Sequence, residues 1–195
     1  MLKDKMNEVF VPLIKEQEVR ELGKNEAAFV KEHEISIDRV QIVEDISSRF
    51  QEAYLERSHK ETDEAIAIER ATFLKEKIHY FKKNMSEFLY IESKWFEVLG
   101  IESISLEVDD VFGTYEIMGG LLLKKKQGDK MKEFLNAHLL DQDKKYSLMF
   151  NDKDGLWDLN LTLDAVKDFS EEHSIGEVLS IVYQLVFNLV EFVEK

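Results

Sequence analysis

The sequence predicts an α+β fold: a helical N-terminal half, then strand-strand-helix twice, forming an antiparallel sheet covered by a long C-terminal helix. Three observations carry this expectation. The first hundred residues hold apolar residues at helical spacing with few breakers. The period changes to two beyond Gly100. The last twenty residues are apolar around most of a helix circumference. The division is a helical segment over 1–100 and an α+β segment over 101–195, packed as one domain.

In chain order, Leu2, Met6, Val9, Phe10 and Leu13 trace a first helix that Pro12 should kink or end. Gly23 and Asn25 mark a break before Ala27 to Val30. Asp38 with Gln41 resembles a capping box for a helix carrying Val43, Ile46, Phe50 and Ala53. Ala67, Ala71, Leu74, Ile78 and Phe81 step by four and three, the spacing of another helix. Asn84 with Glu87 suggests one more, carrying Leu89, Phe96 and Leu99 and closed by Gly100, so these two form a helical hairpin.

Ile104, Leu106 and Val108 alternate with polar residues, as in a half-exposed strand. Val111 to Leu123 reads as a second strand despite Gly119-Gly120. Asp129 opens a short helix with Met131, Leu135 and Leu139 inward. Tyr146, Leu148 and Phe150 alternate, as do Trp157, Leu159, Leu161 and Leu163. The Asp154-Gly155 turn between these runs signals a hairpin. Ser174 and Glu177 box the start of the last helix. Its polar stripe, Glu177, Ser180, Gln184, Asn188 and Glu191, should face water. Leu185, Val186, Leu189 and Val193 should be buried.

Composition narrows function by exclusion. The chain has no cysteine, so disulfide frameworks, thiol nucleophiles and cysteine-ligated metals are ruled out. A net charge of −14 repels phosphate backbones and favours a basic protein partner over nucleic acid. Met1 to Lys15 lacks the continuous apolar core of a secretory signal. No stretch reaches the roughly 18 apolar residues of a spanning segment. The expectation is a cytoplasmic protein without membrane contact, monomeric or homodimeric.

Several motifs invite chemistry. Two Glu-x-x-His pairs, Glu56 with His59 and Glu76 with His79, have the spacing used in di-iron bundles. Glu76 and His79 lie off the apolar stripe, and no intervening helix supplies the bridging carboxylate, so no metal site is assigned. Asn151 to Gly155 is a turn, because calcium-loop register would demand ligands from Phe150 and Leu161. Glycine spacing matches neither a dinucleotide fold nor a P-loop, and no cofactor is implied. Asp109, Asp110 and Tyr115 are candidate pocket residues, able with a histidine to form a dispersed acid–base site. Trp95, Trp157 and the core-edge His138 are read as packing residues.

Three segments, YLERSHKET (54–62), ISLEVDDVFGTYEIM (104–118) and DGLWDLNLTLDAV (154–166), together carry a resemblance that covers most of the chain. The sequence resembles a family of small, acidic, uncharacterised proteins of Gram-positive bacteria. Some of that family carry the label branched-chain amino acid aminotransferase. No motif in the resemblance has an assigned chemical role, so no functional residue is carried over. The label implies a Schiff-base lysine and a backbone cradle for the cofactor phosphate, and neither can be identified here. Without a catalytic constellation, the expected function is a non-enzymatic binding or regulatory protein, of immunity or inhibitor type. The alternative is a small enzyme with a dispersed site.

Overall fold

The computed structural model describes residues 1–11, 19–141 and 145–195. Pro12 and Leu13 therefore lie outside the described residues. Helix α1 (Leu2–Phe10) buries Leu2, Met6 and Phe10 along one face. Strand β1 (Arg20–Gly23) leads through helix α2 (Lys24–Glu32) to strand β2 (Val40–Val43), and β1 and β2 pair in parallel. A 3-10 segment (Ser47–Glu52) follows.

The main sheet comes next. It contains β3 (Tyr54–His59), β4 (Ala65–Ile68), β5 (Glu87–Glu92), β6 (Ile101–Val108), β7 (Tyr115–Leu121), β8 (Tyr146–Asn151) and β9 (Leu156–Thr162). The spatial order is β4-β3-β5-β6-β7-β9-β8, antiparallel throughout. Short helices α3 (Tyr80–Lys83) and α4 (Lys94–Val98), then α5 (Gly128–His138) and α6 (Ile175–Glu194), complete the chain.

The second half follows the expected order of β6-β7-α5 and β8-β9-α6. Gly100 (φ 79°) and Gly155 (φ 72°) take the left-handed conformation that the stop after α4 and the β8–β9 turn require. Met131, Leu135 and Leu139 are buried as expected. In α6, the Ser174 hydroxyl accepts from the Glu177 amide, and Val186, Leu189 and Val193 are buried. Two positions depart from the expected stripe. Ser180 is buried because its hydroxyl accepts the Ile46 amide, whereas Leu185 is only half-buried. The α6 window also has the length and mean hydropathy, 1.5, of a spanning helix, contrary to the sequence reading. Its polar stripe is largely uncharged, which keeps hydropathy high, and 61% of that window is buried inside the protein.

The helical N-terminal half is not what forms. α1 and α2 are helices, but β4 and β5 stand where a helical hairpin was expected between Thr62 and Gly100, and the polar stretch before it, expected as a loop or exposed continuation, supplies β3. Glu56 and His59 sit on β3, Ala67 on β4, and Leu89 on β5. Leu74 and Phe81 belong to a 3-10 segment (Ala71–Lys75) and to α3, not to one continuous helix. The proposed box at Asp38 and Gln41 falls beside and within strand β2. Single helical turns place apolar residues three apart just as a long helix does, so the spacing alone did not separate them.

Candidate binding face of the sheet

Successive residues in a strand face opposite ways, and the register therefore sorts the sheet into two surfaces. On one, Leu89, Leu106, Ile117 and Leu161 lie side by side across β5, β6, β7 and β9, and all are buried. α6 and the helices around it form the layer that buries them. Arg57 is the polar member of this side. Its guanidinium donates to Glu69 (2.6 Å), Glu87 (2.9 Å) and the Tyr80 hydroxyl (2.7 Å).

The opposite surface has no helix over it among the described residues. One row crosses six strands: Glu56, Tyr90, Ser105, Met118, Asn160 and Ser147. A second includes Tyr54, Glu92 and Ser103, with Gly120, Asp158 and Met149 continuing toward the far edge. A groove of about 370 Å³ runs over these rows, lined by Tyr90, Ser103, Ser105, Met118, Asp158 and Asn160 among others. Serines and Gly120 keep its floor low, while Tyr90 and the methionines Met118 and Met149 supply adaptable apolar area.

The electrostatics of this open face are one-sided. Glu56, Glu92, Glu107, Glu116 and Asp158 all occupy its strand positions. No open-face position of the seven strands carries Lys or Arg among the described residues. Two lysines at the margin are engaged: Lys60 with Asp110 (3.0 Å) and Glu107 (3.7 Å), Lys145 with Asp141 (2.9 Å). Burial raises the Glu107 carboxyl, against the pull of Lys60. Glu116 is buried, and its Oε1 accepts the hydroxyls of Thr114 and Thr162, both at 3.0 Å.

Tyr54 and Tyr90 meet edge to face at 6.3 Å. Tyr54 donates its hydroxyl to Glu56 (2.5 Å) and Tyr90 donates to Glu92 (2.6 Å). These bonds to carboxylates are the main cause that raises both phenols.

The residues singled out from sequence fall elsewhere. Asp109 is spent on the β6–β7 turn, where Oδ1 accepts the amides of Val111 (2.9 Å) and Phe112 (2.8 Å). Asp110 is exposed beside Lys60. Tyr115 points to the covered side, against Phe169 and under Lys82. Burial first, then Glu171 and Asp164, push its phenol well above the usual value. The three do not converge on a shared cleft.

Glu56 and His59, three apart on a strand, leave from opposite faces. Glu76 is exposed at the end of its 3-10 segment, and His79 starts α3. No cluster of three or more metal-capable side chains forms among the described residues. His138 stacks on Phe134 (3.9 Å) but is itself exposed, and Trp157 is buried.

Sequence reasoning missed one polar constellation. Glu26 on α2 is buried and holds Arg49 through two bonds of 2.7 Å, while accepting the Tyr183 hydroxyl (2.7 Å) and the Gly23 amide (2.7 Å). Trp95 lies over the guanidinium at 4.4 Å and donates its indole N–H to the Arg49 carbonyl. This cluster ties α2, the 3-10 segment, α4 and α6 together. A groove of about 370 Å³ beside it is lined by Phe10, Arg20, Arg49, Gln51, Lys94 and Trp95, among others. Lys94 there is paired with Glu52 at 2.8 Å. Nothing in the sequence distinguishes Glu26 or Arg49 from the many exposed charges.

Comparison with protein-family models, with curated proteins and with solved structures finds no match to this chain.

Proposed function

We propose that this chain is a non-enzymatic binding protein of the bacterial cytoplasm, of immunity or inhibitor type, whose open sheet face docks a basic protein. The carrying observation is the charge distribution on that face: Glu56, Glu92, Glu107 and Asp158 reach its surface from strand positions, Glu116 is buried beneath, and no Lys or Arg stands there among the described residues. Tyr90, Met118 and Met149 add the apolar anchors that such an interface needs, and the serines allow close approach. The net charge of −14 extends the same preference over long range and steers a cationic partner toward encounter. The resemblance to small acidic proteins of Gram-positive bacteria supports the same placement.

The test is a partner capture run in parallel with the wild type and a Glu92→Lys, Asp158→Lys double variant whose circular dichroism matches it. The reading expects a basic protein on the wild type, reduced at least tenfold on the variant and released by raised salt. Equal capture by both forms, or capture that salt does not affect, sinks it. Backbone amide shifts on titration locate the contact independently: they should concentrate at Tyr90, Ser105, Met118 and Asn160.

A further inference from the structure

Two neighbouring polar side chains on the open face have no partner among the described residues. Asp158 and Asn160 stand two apart on β9, so both leave the same side of the strand, about 6.6 Å from each other along it. Asp158 is exposed, and its carboxylate enters no hydrogen bond or ion pair there. The Asn160 Oδ1 is shut away from water and accepts no hydrogen bond. A buried acceptor without a donor has lost its hydration and gained nothing in return, a cost that a ligand's N–H would cancel. A half-turn of the amide about its last torsion brings that oxygen to the groove, and the torsion is broad enough to allow it. The flanks are apolar and soft. Met149, 65% exposed, lies across from Asp158 on β8, and Met118 lies across from Asn160 on β7. Gly120, on the other side of Asp158, has no side chain to crowd the carboxylate.

We propose that this block seats one arginine side chain of a partner, its guanidinium held by the Asp158 carboxylate and the Asn160 carbonyl and its stem lying along Met118 and Met149. The source of that arginine rests on the docking reading above, to which the seat adds the residue type that the face selects. Charge sets the sign: the carboxylate is unneutralised, and no Lys or Arg stands at an open-face strand position among the described residues. Geometry then separates arginine from lysine. Acceptors about 6.6 Å apart suit the two outward edges of a planar guanidinium, whose five donors form one fork. An ammonium's three donors radiate from a single atom and reach acceptors set closer together. The flat guanidinium is also the more weakly hydrated cation, so packing its face and stem against adaptable thioethers sacrifices less hydration.

The probes are N-acetyl-arginine amide, its lysine counterpart and its citrulline counterpart, which keeps the shape of arginine without the charge. Titrated into isotope-labelled protein, the arginine probe should shift the backbone amides of Gly120, Asp158 and Asn160 and the Asn160 side-chain NH2, saturating in the millimolar range. The citrulline probe should bind about tenfold more weakly and the lysine probe about threefold more weakly. Asp158→Asn, an exposed change that the fold tolerates, should weaken the arginine probe about tenfold. Asn160→Ala should abolish the preference over lysine. Shifts scattered over the acidic surface, equal binding of citrulline, or indifference to Asp158→Asn each overturns the proposal. Arginine seated here while no basic protein is captured leaves this site standing and removes the docking reading. Capture of a basic protein by the wild type, with no arginine binding at this block, does the reverse.

Discussion

The two surfaces of the seven-stranded sheet are built from alternate residues of the same strands, yet they differ in almost every property. On the covered side Leu89, Leu106, Ile117 and Leu161 pack beneath helices. On the open side their immediate neighbours are Tyr90, Ser105, Met118 and Asn160. The difference teaches that hydrophobicity is not all that separates them, because the covered layer also holds Arg57 and the Glu26–Arg49 pair. What also separates them is satisfaction. The charges of Arg57, Glu26 and Arg49 are matched by partners of fixed geometry, whereas the open side carries carboxylates at its strand positions and no Lys or Arg there among the described residues. The covered side therefore serves stability, and the open side is the one on which the proposed docking would fall.

The sharpest test of that division is Arg49→Met. It leaves the Glu26 carboxylate buried with only neutral donors, and breaking one side of such a pair costs about 3–5 kcal/mol. Denaturant unfolding followed by fluorescence measures the loss. The double change Glu26→Gln, Arg49→Met should recover a large part of it. A single variant as stable as the wild type would show that the pair contributes nothing to the buried layer.

Next in size is a pair of adjacent substitutions on β6. Leu106→Ala removes a fully buried side chain and should destabilise by about 2–5 kcal/mol. Ser105→Ala, one residue away on the open face, should stay within about 0.5 kcal/mol, as surface changes do. Thermal melts of both decide it. A large loss from Ser105→Ala would mean that the open face is covered in solution.

How much of this was legible in the sequence depended on which strands had one apolar and one polar side. β6 and β9 alternate cleanly, so their place was readable. β5 does not, because Phe88 and Tyr90 on the open side interrupt the contrast with Leu89 and Ile91. β4 does not, because Ala65 to Ile68 is apolar throughout. In β3 the buried-side position at Arg57 is charged, and only its three partners, distant in sequence, make that tolerable. For that reason β4 and β5 read as helix and β3 as a polar stretch, a loop or an exposed continuation. The open face was illegible for a related one: its residues come from six strands and are ordinary individually. Only the register gathers them.

Gly119 and Gly120 compare the faces at the scale of one atom. A Cβ on Gly119 would lie 3.0 Å from Ile104 and 3.1 Å from the Ser103 carbonyl, one of them rigid backbone. A Cβ on Gly120 would meet only the Leu156 side chain, at 3.1 Å, which can turn away. Gly119→Ala should cost about 1–3 kcal/mol, the range for overpacking, and Gly120→Ala clearly less. Gly120→Ala should instead make the groove shallower and weaken partner binding at unchanged stability. Equal melting temperatures for the two variants would contradict the assignment of faces.

The smallest effect lies at the start of α6, the helix at the centre of the covered layer. Hydrogen bonds from the Ser174 amide and hydroxyl hold the Glu177 carboxyl below its usual value of 4.5. A carboxyl lowered on folding stabilises the folded state above its unfolded value, and that contribution fades as pH falls through the folded one. Ser174→Ala removes the cap at neutral pH and should cost about 1 kcal/mol. Glu177→Gln keeps an acceptor in the box but carries no charge to titrate. Its stability should therefore change less between pH 6 and pH 3 than that of the wild type, with melting temperature as the readout. If the two curves run parallel through the acid range, the capping carboxylate is not ionised in the way the geometry requires, and α6 is held by its apolar face alone.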